Sequence, residues 1–259
     1  MAVCEIHLGN QNALGKAKSL MAIVPENAGD GPFPVWYLLH GLSDNHTAWT
    51  RQTSIERYVS GLPIIVVMPD GERGFYTDAR EGHNAAYETN IIRDVIGFVD
   101  DTFQTIPTRE GRVVSGLSMG GYGAMKLALK HPHLFRAAVS HSGAIGFASR
   151  ALSEIDAFEG GGWLREFIPI FGPDARGGSE DCFALAEKIE RAQLPALRID
   201  CGGDDFLIEE NREFHAHLKK LGVAHEYEEW PGGHDWSYWD AHVQETIAFF
   251  ARELGLQKK

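Results

Sequence analysis

Gly116-Leu117-Ser118-Met119-Gly120 decides the fold, together with what flanks it. Residues 111–117 read as a buried strand, and Gly120 onward to Lys130 reads as a helix. A serine between them must sit on a very tight strand-to-helix turn. Small residues two before and two after it let the backbones approach, and its hydroxyl projects from the turn. The helix N-terminus beneath favours developing negative charge. A bare GxSxG is common. A strand before it, a helix after it, and Gly121 and Gly123 following make it specific.

Working outward, strand-like runs fall at about 3–8, 18–25, 34–40, 63–68, 111–117, 136–141, 195–201 and 224–230. Val35-Trp36-Tyr37-Leu38-Leu39 and Ile64-Ile65-Val66-Val67-Met68 are nearly continuous apolar runs, as strands buried on both faces require. Strands alternate with helical patterns, the signature of a parallel α/β sheet. The first two runs are more mixed and suit an antiparallel edge. Residues 88–104 place Ile91, Val95, Phe98, Val99 and Phe103 on one helical face. Residues 209–221 end at Gly222, and residues 236–254 start behind Asp235, a capping residue. The stretch at about 146–180, after the sixth strand, is rich in glycine and carries Phe158, Trp163, Phe167 and Phe171. It reads as a small cap-like insertion, with a surface loop making its own hydrophobic contact as the competing reading. The expectation is therefore one α/β domain over 1–259.

A serine is a weak nucleophile and needs a base oriented by a third group. On a strand-turn-helix serine the order is Ser, then Asp or Glu, then His. Asp204-Asp205 follows the strand ending near Cys201, and His234 follows the strand ending at Trp230. Both lie past the carboxyl ends of strands, where open α/β sheets place their sites. Asp205 is favoured over Asp204, because it directly precedes Phe206-Leu207, which should turn inward. Two backbone donors for an oxyanion follow from the same logic: the N–H of Met119 and that of Leu42, in His40-Gly41-Leu42-Ser43. His40 itself reads as a brace at the strand end. Trp49, Tyr76, Trp163, Trp236 and Trp239 are candidates to line a substrate pocket, in competition with plain packing.

The chain has 259 residues, 24 Lys plus Arg against 36 Asp plus Glu, and a net charge of −12. With no basic cluster in sequence, nucleic acid and anionic membranes are excluded as partners. No apolar run approaches the ~18 residues of a membrane helix. Met1–His7 has no signal-peptide pattern, and three scattered cysteines suit reduced thiols, so a cytoplasmic protein is expected. The twelve histidines lack ligand spacing, so neither a metal nor another cofactor is expected.

Across nearly its whole length, about residues 3–250, the chain resembles the esterase D family of α/β-hydrolases, most of all its tributyrin-esterase-like branch. The resemblance is carried by Tyr37-Leu38-Leu39-His40-Gly41-Leu42-Ser43, Val67-Met68-Pro69-Asp70-Gly71, Gly74-Phe75-Tyr76-Thr77-Asp78, Gly116–Gly123, Ser142-Gly143-Ala144, Asp205-Phe206-Leu207 and His234-Asp235-Trp236. It implies an α/β-hydrolase fold: a mostly parallel eight-stranded sheet with helices on both faces. It implies a Ser118, Asp205, His234 triad with Leu42 and Met119 as oxyanion donors. The expected activity is hydrolysis of short-chain acyl esters through an acyl-enzyme, with a small-molecule ester as partner; homo-oligomerisation is left open. The related S-formylglutathione hydrolases typically carry histidine where Tyr122 stands, which ranks that thioesterase activity second. Feruloyl or acetyl-sugar ester hydrolysis is the other alternative.

Overall fold

In the computed structural model, residues 1–26, 29–83, 85–151, 164 and 166–257 are described. The strands are β1 (Ala2–Leu8), β2 (Lys18–Val24), β3 (Val35–Leu39), β4 (Ile65–Pro69), β5 (Arg112–Leu117), β6 (Ala137–His141), β7 (Ala196–Gly202) and β8 (Glu226–Trp230). They form one sheet in the order β1-β2-β4-β3-β5-β6-β7-β8. β1 and β2 pair antiparallel, as does β2 with β4, and every remaining pair is parallel. The antiparallel edge and the buried parallel centre are both as the apolar patterning predicts.

The period-2 alternation of a strand sorts its side chains onto two faces. Val35, Tyr37 and Leu39 join Ile65 and Val67 in one core, with the helix Met119–Lys130, the helical stretch 87–102 and the helix Ile208–Lys220. Trp36 and Leu38 join Val66 and Met68 in the other, with the helices Ile55–Tyr58 and Trp236–Leu254. Asp235 caps the last helix, its carboxylate accepting from Tyr238 N at 3.0 Å. Gly222 sits at φ 67° after the helix Ile208–Lys220, the left-handed stop its position predicts.

Two local features depart from the sequence reading. The stretch 87–102 is not one regular helix: Asn90–Val95 forms a π turn between Tyr87–Thr89 and Ile96–Thr102. The wider turn rotates the following residues, so Ile96 is buried while Phe98 and Phe103 are only partly so. Of the proposed insertion, Phe158 and Trp163 lie outside the described residues. Phe167 and Phe171 pack on Phe75, with ring centroids 4.8 and 5.3 Å away, and Phe171 also meets Tyr122 at 6.0 Å.

An ionic cluster is buried behind the helix Met119–Lys130. Lys126 is fully buried and donates to Tyr76 O at 2.5 Å and Glu88 Oε2 at 2.6 Å. Glu180 lies 3.3 Å from its ammonium, and Lys130 and His131 complete the set. Burial pushes the Glu88 carboxyl up, but the His131 hydrogen bond and the Lys126 charge outweigh it and hold Glu88 well below the usual carboxylate range. Glu180 is held low despite its burial by Lys126 and Lys130. Depressed carboxyls contribute stability that is complete above the unfolded value of ~4.3 and is lost as pH falls toward the folded values. The urea midpoint is therefore expected to decline as pH drops below about 4.3. Glu88→Gln, which leaves Lys126 short of a counter-charge, should cost ~3–5 kcal/mol at neutral pH. A pH-independent midpoint in acid, or a neutral Glu88→Gln, contradicts this.

Candidate active site

Ser118 follows β5 and precedes the helix Met119–Lys130 at φ 53°, ψ −118°, a conformation that side-chain-bearing residues rarely adopt. A Cβ on Gly116 would stand 2.5 Å from the Gly120 backbone, and one on Gly120 would stand 2.5 Å from Leu39 O. Only glycine at both places lets the helix start this close to β5 and β3. The turn is fixed on its other side by Ser118 N donating to His141 O at 2.9 Å and Ala144 N donating to Ser118 O at 3.1 Å. β3 and β5 are neighbours whose chain connections run to opposite sides of the sheet, so a crevice opens between their carboxyl ends.

Two later loops reach this point. His234 Nε2 lies 3.0 Å from Ser118 Oγ, and its Nδ1 lies 2.8 and 3.0 Å from the two Asp205 carboxylate oxygens. Asp205 is 2% exposed, whereas its neighbour Asp204 is exposed and holds the loop through its own N–H to Gly232 O at 2.9 Å. Burial raises the Asp205 carboxyl, but hydrogen bonds from His234, Leu207 N and the Ser142 hydroxyl prevail and leave it below its ordinary value. The carboxylate thus stays charged where it faces the imidazole.

The loop after β3 lies alongside. A Cβ on Gly41 would fall 3.6 Å from Ser118 Cβ, which measures how near the loop passes to the serine. His40 is buried; Gly71 N donates to its Nε2 at 2.9 Å, so its Nδ1 carries the proton and donates to Gly41 O at 2.8 Å. That bond fixes the peptide plane whose N–H belongs to Leu42. Met119 is the first residue of its helix, so its N–H has no intrahelical acceptor. His40 acts as the brace its position predicts.

Of the aromatic candidates, Trp49 and Tyr76 are core: both are buried, bonded through Trp49 Nε1 to Leu39 O and through Tyr76 OH to His40 O. Trp163 lies outside the described residues. Trp239 stands edge-on to His234 at 4.9 Å, with Trp236 against it at 5.2 Å and partly exposed. The expectation that Phe206-Leu207 turns inward is half corrected. Leu207 is buried, but Phe206 is 75% exposed with its ring 4.5 Å from His234. Ser142, at φ 46° and fully buried, is a site neighbour to which the sequence reading gave no role beyond its place in the family resemblance. Among the described residues no group of three or more His, Cys, Asp or Glu could hold a metal ion, and no helix is long and apolar enough to cross a membrane.

The family model described as "Putative esterase" matches residues 11–250. The chain belongs to the esterase family. This esterase is 29% identical over 265 residues to the acetyl esterase of Caldicellulosiruptor saccharolyticus, covering 97% of this chain and 99% of that one. It is similar to the crystal structure of an S-formylglutathione hydrolase from Staphylococcus aureus, with 30% identity, a TM-score of 0.82, and 96% and 98% of the two chains covered. A ferulic acid esterase structure at 24% identity, with a TM-score of 0.81 over 97% and 98% of the chains, shares the fold. The α/β-hydrolase architecture expected from the motifs is thus the architecture of its relatives.

Proposed function

We propose that this esterase is a serine carboxylesterase for short-chain acyl esters, built as one domain over 1–259 and working in the cytoplasm. The observation that carries the chemistry is the unbroken chain from Ser118 Oγ through His234 to the buried Asp205 carboxylate. Ser118 attacks the ester carbonyl while His234 Nε2 takes its proton. Asp205 holds the proton on Nδ1 and stabilises the imidazolium. The tetrahedral oxyanion sits against the N–H groups of Met119 and Leu42. Collapse expels the alcohol, which receives the proton from His234, and water activated by the same imidazole then frees the acid. Because the imidazole must be neutral, kcat/KM is expected to fall on the acid side through a single ionisation. A profile with two steps there would require a second titrating group.

Short acyl chains are supported by the acetyl esterase relative and by the segment after β6. Among the described residues of 146–180 its longest helix is Ile168–Phe171, too short for an interfacial lid. Each buried methylene adds about 0.8 kcal/mol of binding. Rates on p-nitrophenyl esters should therefore climb from acetyl toward butyryl and fall before octanoyl. A maximum at decanoyl or beyond, or activation by an oil–water interface, contradicts the proposal. S-Formylglutathione belongs in the same panel. The Staphylococcus aureus neighbour favours it, while Tyr122 argues against it: its hydroxyl is used up on Glu180 O at 2.8 Å. Thioester turnover tens of times faster than any oxygen ester would make that reading the better one.

A further inference from the structure

A depression of about 890 Å³ lies at the amino-terminal edge of β6, β7 and β8, the end of the sheet opposite Ser118. Arg109, Arg136, Arg191 and Arg252 line it, with Glu226 and Glu253 as its only carboxylates among the described residues. The wall therefore carries an excess of two positive charges on a chain whose net charge is −12. Glu226 is committed to Arg252 and Arg198. Arg109, Arg136 and Arg191 have no carboxylate within ion-pair distance among the described residues. Each instead spends one edge of its guanidinium on backbone carbonyls. Arg109 donates to Pro132 O at 2.8 Å and Leu194 O at 3.1 Å, Arg136 to Glu253 O at 2.5 Å, and Arg191 to Leu221 O at 2.7 Å. Carbonyls hold the side chains in place without neutralising them, and the remaining N–H groups have no partner among the described residues. Glu110 lies near Arg109 and Arg136 but is exposed and bonds to Thr108 and its own backbone.

We propose that this depression binds a small organic phosphate monoester. Planar guanidinium forks suit phosphate oxygens, and positioned arginines lose little entropy on engaging them. A dianion matches the two excess charges, where a single carboxylate would leave one uncompensated. The volume falls in the ~300–1,000 Å³ range of small-molecule sites rather than of macromolecular surfaces. Leu194, Pro195 and Phe249 supply an apolar wall for the organic part. This reading is independent of the ester chemistry at Ser118.

The test is calorimetric titration of the intact protein at low ionic strength with inorganic phosphate, phenyl phosphate and malonate. Both phosphates should bind saturably at one site, phenyl phosphate more tightly and malonate more weakly. Arg191→Gln and Arg136→Gln should each weaken phenyl phosphate about tenfold, the size of one lost charge-assisted contact. Arg191 is exposed and makes a single carbonyl bond, so its variant should remain folded, with ester turnover unchanged as the check. No saturable binding to the wild type, or unaltered affinity in both variants, overturns the site. Malonate binding as tightly as the phosphates overturns the phosphate assignment. Phenyl phosphate no tighter than phosphate overturns the organic part.

Discussion

Ser118→Ala is expected to lower kcat by on the order of 10⁴-fold or more in a protein that stays folded. Alanine removes only Oγ. The backbone at φ 53° and its bonds to His141 and Ala144 are unchanged, so the turn and the oxyanion donors remain. What survives is the acceleration that binding and the donors give without a nucleophile. The measurement is steady-state turnover of p-nitrophenyl acetate, with circular dichroism as the folding control. Labelling by a serine-directed phosphonate, located by peptide mass, should fall once per chain at Ser118 and vanish in the variant. Near-normal turnover by a contamination-free variant would remove Ser118 from the mechanism.

Asp205→Asn is expected to cost about 10⁴-fold in kcat, and Asp204→Asn very little. An amide at 205 presents either a donor to a donor or a neutral oxygen to the imidazole. In both cases His234 loses the partner that keeps its proton on Nδ1 and steadies the imidazolium. Asp204 points to solvent and contributes through its backbone, which asparagine retains. Because the Asp205 carboxyl is held below its ordinary value, it stays ionised across the working range and adds no step to the pH profile. Comparable losses in the two variants would mean that the loop's shape, and not the carboxylate at 205, supports the imidazole.

The central strands were legible because burial on both faces leaves a sequence mark, as in Val35–Leu39. Every strand boundary lies within two residues of its predicted place. Ser118 was legible from its glycines, and His234 from chain order. Features set by contacts between distant segments left no such mark. Lys126 sits in a helix where lysine usually faces water, and only the fold reveals the two carboxylates that allow its burial. The π turn at Asn90–Val95 adds one residue to a helical repeat, which an apolar pattern of ordinary spacing hides. Phe206 and Leu207 are both apolar, and only the loop's path separates the exposed one from the buried one. The arginines of the basal depression are scattered from 109 to 252 and share no local period.

The order in which the site residues occur has a consequence for synthesis. Ser118 follows a strand in the middle of the sheet, yet its proposed base, His234, arrives 116 residues later in the chain, after β6, β7 and β8. Parallel pairing demands long crossovers, so these contacts close late and are among the slowest a chain can make. A nascent chain that has emerged only as far as β6 can already fold the sharp turn, but it displays an inert hydroxyl. On the proposed mechanism, hydrolytic competence switches on in one step, when β8 docks and delivers His234. Incomplete or misassembled chains are therefore silent, and appearance of activity during refolding would report closure of the last strand.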